Sequence, residues 1–315
     1  MTGPAVTTGA EHTTAGRLRG VLPVFSTPYH ESDESIDTET LEKQFHWVFD
    51  EGADGIVMAM VSEVLRLSGE ERRQVAEHAC GMRDRGAVVI SVGAESAHIA
   101  VAYARHARDC GADAVMAIPP VSVAVGADEL IAYYRRIIEA VEIPVIVQDA
   151  SGYVGRPMPI AMQARLVDDF GPQRIQFKPE ATPIGPRLSE LRDATRGRAR
   201  IFEGGGGIAL VDSYRRGIVG TMPGADLIDA LVELWRALQA GNDGRAYRIH
   251  APLGALISLQ TGLDAFVATE KYLLVKRGIF RNTHVRGPVG YTLDEETRLE
   301  VDRLFDLLME AVHGP

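Results

Sequence analysis

Among the cationic side chains of this sequence arginine outnumbers lysine by twenty-nine to four, so a lysine that was kept asks for a chemical reason. Lys43, Lys271 and Lys276 fall on amphipathic helical segments among other charged residues, where a solvated surface position is expected. Lys178 is different, because it follows Ile175, Gln176 and Phe177 at the end of a short apolar run. A cation in such a place costs free energy unless it is paired or deprotonated. A free amine there is a nucleophile that can attack a ketone or aldehyde and form an iminium, chemistry closed to the guanidinium of arginine. The other reading is a structural ion pair with Glu180 or Glu203, and spacing alone leaves the two open.

The elements that must position this lysine repeat along the chain. From Arg19 onward, short apolar runs (GVLPVF, GIVMAM, VVISVG, AVMAIPP, IPVIVQ, IQF, RIFEG) alternate with longer segments of helical periodicity, the pattern of parallel strands joined by helices. Asp37 opens one such helix and Gly52 closes it; others begin near Ser68, Ser96, Ala127, Pro159, Gly185 and Ile208. Strand candidates run from Gly20–Ser26 to Gly220–Pro223, and eight units over roughly 220 residues predict a closed α/β (β/α)8 barrel. An open doubly wound sheet is the rival, but Pro28 and Tyr29 follow the first strand where it would carry a glycine-rich phosphate turn. After Leu227 the pattern is purely helical. The reading is a flexible tail over 1–16, a catalytic barrel over 17–240 and a three-helix extension over 241–315.

In such a barrel the reactive groups stand at the C-terminal ends of the strands. Those ends offer Ser26 and Thr27, Ser62 and Glu63, Gly93, Pro119 and Pro120, Gln148 and Asp149, Lys178 and Glu180, Glu203 with Gly204 to Gly207, and Met222 with Pro223. Composition limits the partners: 43 acidic against 33 basic residues give a formal charge of −10, which disfavours a broad grip on nucleic acid or anionic lipid. No apolar stretch reaches the ~20 residues needed to cross a bilayer. Cys80 and Cys110 support neither a disulfide framework nor a thiolate metal site and fit a reducing cytoplasm. His78, His98, His106 and His284 stand in isolation, so no metal is indicated.

The motifs GVLPVFSTPYHESDESID, SEVLRLSGEER, IPVIVQDASGYVG and IQFKPEAT, in that order, resemble the dihydrodipicolinate synthase and N-acetylneuraminate lyase family of Schiff-base barrels. The resemblance runs from about Leu18 to the C-terminal helices. It implies a (β/α)8 barrel with three trailing helices, a homo-oligomer (dimer or tetramer), and a Schiff base between Lys178 and a 2-oxo acid. The chain departs from the pattern elsewhere. Where the family reads Gly-Thr-Thr-Gly-Glu it has Ala59, Met60, Val61, Ser62 and Glu63, and where a tyrosine closes the fifth strand it has Gln148, which cannot do acid-base work. Pro119 to Val123 lack the tyrosine that true synthases lend to a neighbouring subunit. Tyr153 replaces their arginine, so condensation with aspartate semialdehyde is not expected.

An iminium at Lys178 would be an electron sink for carbon-carbon cleavage or for loss of a β-hydroxyl from a 2-oxo-3-deoxy acid. Either needs a proton carrier: Tyr153 is the first choice, with Asp149, Glu180, Glu203 or a water held by Gln148 and Ser62 as alternatives. Substrate binding is assigned to Ser62, Val61, Asp149, Glu203, Gly204 and Gly205, because hydroxyls and helix-start amides suit a carboxylate. Glu63 is expected to pair with Arg66 or Arg72. The glycine run lacks a dinucleotide fingerprint, and iminium chemistry needs no cofactor. The expected activity is a Schiff-base lyase, a pyruvate-releasing aldolase or a sugar-acid dehydratase. The alternatives are a relative that takes a bulkier, more apolar oxo acid past Met60 and Val61, and a non-catalytic ligand-binding barrel.

Overall fold

The computed structural model describes residues 14–314. The tail expected over 1–16 lies almost wholly outside them; Thr14–Arg17, which span its end and the first barrel residue, form one helical turn. Eight strands, β1 (Gly20–Val21), β2 (Gly55–Val57), β3 (Ala87–Ser91), β4 (Ala114–Ala117), β5 (Val145–Asp149), β6 (Ile175–Pro179), β7 (Arg200–Glu203) and β8 (Gly220–Thr221), alternate with helices. All seven neighbouring pairs are parallel, in the order β1-β8-β7-β6-β5-β4-β3-β2. The ends meet through Val24, which bridges both Val57 and Gly224. β1 is short because Pro23 has no N–H to give. Pairing resumes beyond it, with Val57 N donating to Pro23 O at 2.9 Å and Phe25 N to Val57 O at 3.1 Å. The expected (β/α)8 barrel is the fold.

Strand alternation sorts the side chains into two cores. Val57, Val89, Met116, Ile146 and Phe202 fill the barrel together with Leu22 and Val24. Ile56, Val88, Val115, Val147 and Phe177 face outward against the helices. Ile146 is in register with Gln176 and Gln148 with Lys178, so the inward positions of β6 are the polar ones.

The helices start where capping chemistry places them. Asp37 accepts from Thr40 N at 3.0 Å, and Ser68 and Glu71 form a reciprocal capping box. Ser96 caps the helix Ala97–Cys110, and Gly111 ends it in the left-handed region at φ 93°. After the eighth barrel helix (Ile228–Gln239), three more follow: Asp243–Ile257, Leu263–Lys276 and Glu295–His313. The second of these lies across the barrel mouth, and its Phe266 and Val267 join the inner core. Lys271 on this helix is not a surface residue as expected but fully buried. It occupies the apolar stripe Val267, Lys271, Leu274, the i, i+4, i+7 spacing of a buried helix face. Among the described residues no helix is long and apolar enough to cross a membrane.

Candidate active site

Lys178 lies at the top of β6, 2% exposed, beside Gln148 of β5. Its Nζ donates to Glu180 Oε1 at 3.0 Å, and the other oxygen of Glu180 accepts from Gln148 Nε2 at 2.7 Å. Two residues apart on a strand end, Lys178 and Glu180 share a face. Pro179 between them has no N–H, yet Glu180 N still donates to Asp149 O at 2.9 Å, which ties the strand end to β5. Burial pushes the Glu180 carboxyl above its ordinary range, against the opposing pull of Lys178 and Gln148. The site therefore holds an amine and a carboxyl that competes poorly for negative charge, side by side and out of water.

β7 and β8 supply the neighbouring wall. Gly204 packs directly on the pair: a Cβ there would sit 2.7 Å from Glu180 Cγ and 3.0 Å from Lys178 Cε. Glu203 does not turn a free carboxylate to a ligand. Its Oε2 accepts from Thr221 Oγ1 and its Oε1 from Gly205 N, both at 2.7 Å. It is an anchor for the glycine run, and the Gly205 N–H is spent on it.

The turn after β2, Met60–Ser62, is held by Ser62. That hydroxyl donates to Phe25 O at 2.5 Å and accepts from Ala59 N at 3.1 Å. A carboxylate needs a donor, and the single donor of Ser62 is committed. Ser62 therefore shapes the turn, while Val61 packs into the inner core. Glu63 follows in the left-handed region at φ 57° and pairs with Lys271 at 2.5 Å and Arg66 at 3.9 Å. Arg72 is not its partner, since that guanidinium donates to the carbonyls of Ser91 and Gly93 at 3.1 Å.

Asp149 is likewise turned to structure. Its oxygens accept from Ser151 N at 3.2 Å and Met158 N at 2.9 Å, closing the loop that carries Tyr153. The phenol of Tyr153 feels Glu180, Glu203 and Glu270; burial first, and these charges after it, raise it well above the ordinary tyrosine value. The Tyr153 phenol thus holds its proton more tightly than a free tyrosine does. Asp226 and Glu270, both buried, went unremarked in the sequence because neither lies at a strand end. Glu270 Oε1 accepts from Ala225 N at 2.9 Å. Of the histidines expected to be isolated, His78 meets Glu42 at 2.9 Å, His284 meets Glu34 at 3.1 Å and His106 meets Glu77 at 3.3 Å.

The model of the dihydrodipicolinate synthetase family matches residues 17–307. The L-2-keto-3-deoxyarabonate dehydratase of Azospirillum brasilense is 28% identical over 94% of this chain and 98% of its own. A 4-hydroxy-tetrahydrodipicolinate synthase of Methanoculleus marisnigri is 26% identical over 94% of this chain and all of its own. The crystal structure of dihydrodipicolinate synthase from Rhodopseudomonas palustris superposes with a TM-score of 0.84 at 26% identity, covering 94% of this chain and 99% of that one. The family model, the barrel with its trailing helices and the lysine inside its mouth agree, and the chain belongs to the dihydrodipicolinate synthetase family.

Proposed function

We propose that the chain is a lyase that binds the C2 carbonyl of a 2-oxo acid to Lys178 as a Schiff base and removes water from a 2-oxo-3-deoxy sugar acid. The observation that carries this reading is the buried Lys178–Glu180–Gln148 array at the end of β6 and β5. An ion pair 3.0 Å long is one proton transfer from a neutral amine beside a neutral carboxyl, and the upward shift of Glu180 favours that transfer. The free amine attacks C2, Glu180 returns its proton to the departing carbinolamine hydroxyl, and water leaves to give the iminium. The same carboxylate then removes a proton from C3. The electron pair runs through the enamine to expel the β-hydroxyl, which takes a proton from Tyr153 or Glu180 as it leaves as water.

Glu180 is thus the proton carrier in place of the strand-five tyrosine, with Gln148 orienting it and Tyr153 as a donor. The substrate carboxylate is assigned to the first amides of the Met60–Ser62 turn, which have no partner within the turn itself. Ser62, Asp149, Glu203, Gly204 and Gly205 shape the surrounding walls. Dehydration is preferred to cleavage because the Azospirillum relative is named a dehydratase. Condensation with aspartate semialdehyde is disfavoured by Gln148 and Tyr153. The barrel of residues 17–240 is the catalytic unit; the two free cysteines fit a reducing cytoplasm, and family membership supports a homo-oligomer.

The test is incubation with pyruvate, then with a panel of 2-oxo-3-deoxy sugar acids, under borohydride. Expected is a mass increase confined to the peptide containing Lys178, abolished by Lys178→Arg, and a dioxo acid as the product of turnover. Free pyruvate would place the enzyme among the aldolases. No trapping with any oxo acid by a folded protein would leave a ligand-binding barrel.

A further inference from the structure

At the opposite end of the barrel from Lys178, three side chains with no part in that chemistry converge. Glu77 lies in the last turn of the helix Gly69–Cys80, and His106 and Cys110 end the helix Ala97–Cys110. His106 and Cys110, four residues apart, share one face. His106 Nε2 is 3.3 Å from Glu77 Oε1 and 3.5 Å from Cys110 Sγ. All three ligand atoms lie within 4.8 Å of one another. We propose that Glu77, His106 and Cys110 form a zinc site that clamps these two helices.

The distances support it. A tetrahedral zinc with bonds of about 2.0–2.1 Å to nitrogen and oxygen and about 2.3 Å to sulfur separates its ligand atoms by roughly 3.3–3.6 Å. The two separations from His106 already have this length, and the third, between Glu77 and Cys110, lies within 4.8 Å. The donor set selects the metal: thiolate and imidazole are soft and borderline ligands that suit zinc and not magnesium or calcium. Both helices also end here, and the negative end of each helix dipole favours a cation. Glu77 is largely exposed and His106 about one-quarter so, leaving the fourth position to water. The site is therefore exchangeable, and it joins helices whose other ends carry the loops of the barrel mouth.

The experiment uses the full-length chain, stripped with a chelator and titrated with cobalt(II) and then zinc(II). Expected are one equivalent of cobalt, a thiolate-to-cobalt charge-transfer band in the near ultraviolet, loss of that band in Cys110→Ser, and its displacement by zinc. Glu77→Gln and His106→Asn should each weaken binding by about tenfold or more. Far-ultraviolet circular dichroism of each variant reports folding, and borohydride trapping at Lys178 should be unaffected by all three. Absence of saturable binding to the folded chain, or a charge-transfer band that survives Cys110→Ser and so belongs to Cys80, overturns the proposal.

Discussion

The ε-amine of Lys178 shares its nearest carboxylate, that of Glu180, with the amide of Gln148, through bonds of 3.0 and 2.7 Å inside the barrel. Such a pair is costly to bury and stabilises little over apolar packing, so a structural purpose alone explains it poorly. Glu180→Gln keeps the volume and a hydrogen bond but cannot carry a proton. Turnover should fall by roughly 10²–10⁴-fold, as expected for loss of general acid-base catalysis. The variant also strands the buried Lys178 ammonium, so the melting temperature should fall as well, and turnover is compared at a temperature where both proteins are folded. Unchanged turnover in this variant would return the pair to a structural role.

Gly204 packs its backbone against that pair. Its φ is unremarkable, so only space forbids a side chain, and the Cβ of alanine would press on Glu180 Cγ and Lys178 Cε. Gly204→Ala should cost about 1–3 kcal/mol by overpacking and slow borohydride trapping at Lys178. Gly126→Ala, with nothing within 4 Å of the new methyl, is the control and should stay within about 0.5 kcal/mol of the parent. Equal behaviour of the two variants would show that the glycine run does not shape the lysine's surroundings.

The barrel was legible from periodicity because strand alternation and capping residues such as Asp37, Ser68 and Ser96 act locally. Lys178 was legible because its residue type is rare in this chain and its place is at a strand end. Polar residues at other strand ends were harder to read: spacing brings Ser62, Asp149 and Glu203 to the mouth, but hydrogen bonds to Phe25, Met158 and Thr221 decide whether they face a ligand or the scaffold. Those partners lie on other strands or across a loop. Lys271 was misplaced because a charged residue on a helix defaults to solvent, although its i+4 spacing from Val267 indicated the buried face.

The segment between the second and third trailing helices is tied back to the barrel by charge. Arg286 grips both oxygens of Glu71, at 2.6 and 2.9 Å, while stacking over Tyr29. The Arg286 hydrogen bonds are the largest cause holding Glu71 down to about 2, against an ordinary 4.5. A carboxyl lowered on folding stabilises the fold above its unfolded value and loses that contribution as pH falls from about 4.5 through about 2. Allowing for the partial exposure of the pair, Arg286→Met should cost ~2 kcal/mol at neutral pH. The part of the deficit owed to the ion pair should disappear near pH 2, leaving only what the Tyr29 stack and the bond to Glu34 O contribute. Urea titrations of both proteins across that range give the comparison, and a pH-independent difference would rule out the ion pair as its source.

Asp226 carries the opposite sign. It is buried, its Oδ2 has no hydrogen-bond partner, and burial raises it to about 7. The unfolded chain ionises this group first, so the aspartate costs stability increasingly from about pH 4, and the cost levels off above about 7. Asp226→Asn should therefore match the parent in acid and become progressively more stable than it toward neutrality, read as a rising difference in melting temperature. A difference that is flat with pH would mean that Asp226 is ionised throughout.

Glu63 and Lys271 bring the turn after β2 and the helix across the barrel mouth together. Both are buried, their charges meet at 2.5 Å, and the ammonium also donates to His284 O at 2.7 Å. Burial lowers Lys271 and raises Glu63, so each charge depends on the other. Removing one partner strands the second: Glu63→Gln should destabilise by about 3–5 kcal/mol, whereas Glu63→Gln with Lys271→Met should recover most of that loss. The recovered double variant separates stability from function. Its turn after β2 no longer has a charged tether to the helix above it, so its KM for the oxo acid should rise while borohydride trapping at saturating substrate is kept. If the double variant stays as unstable as the single one, the contact acts through packing and not through charge.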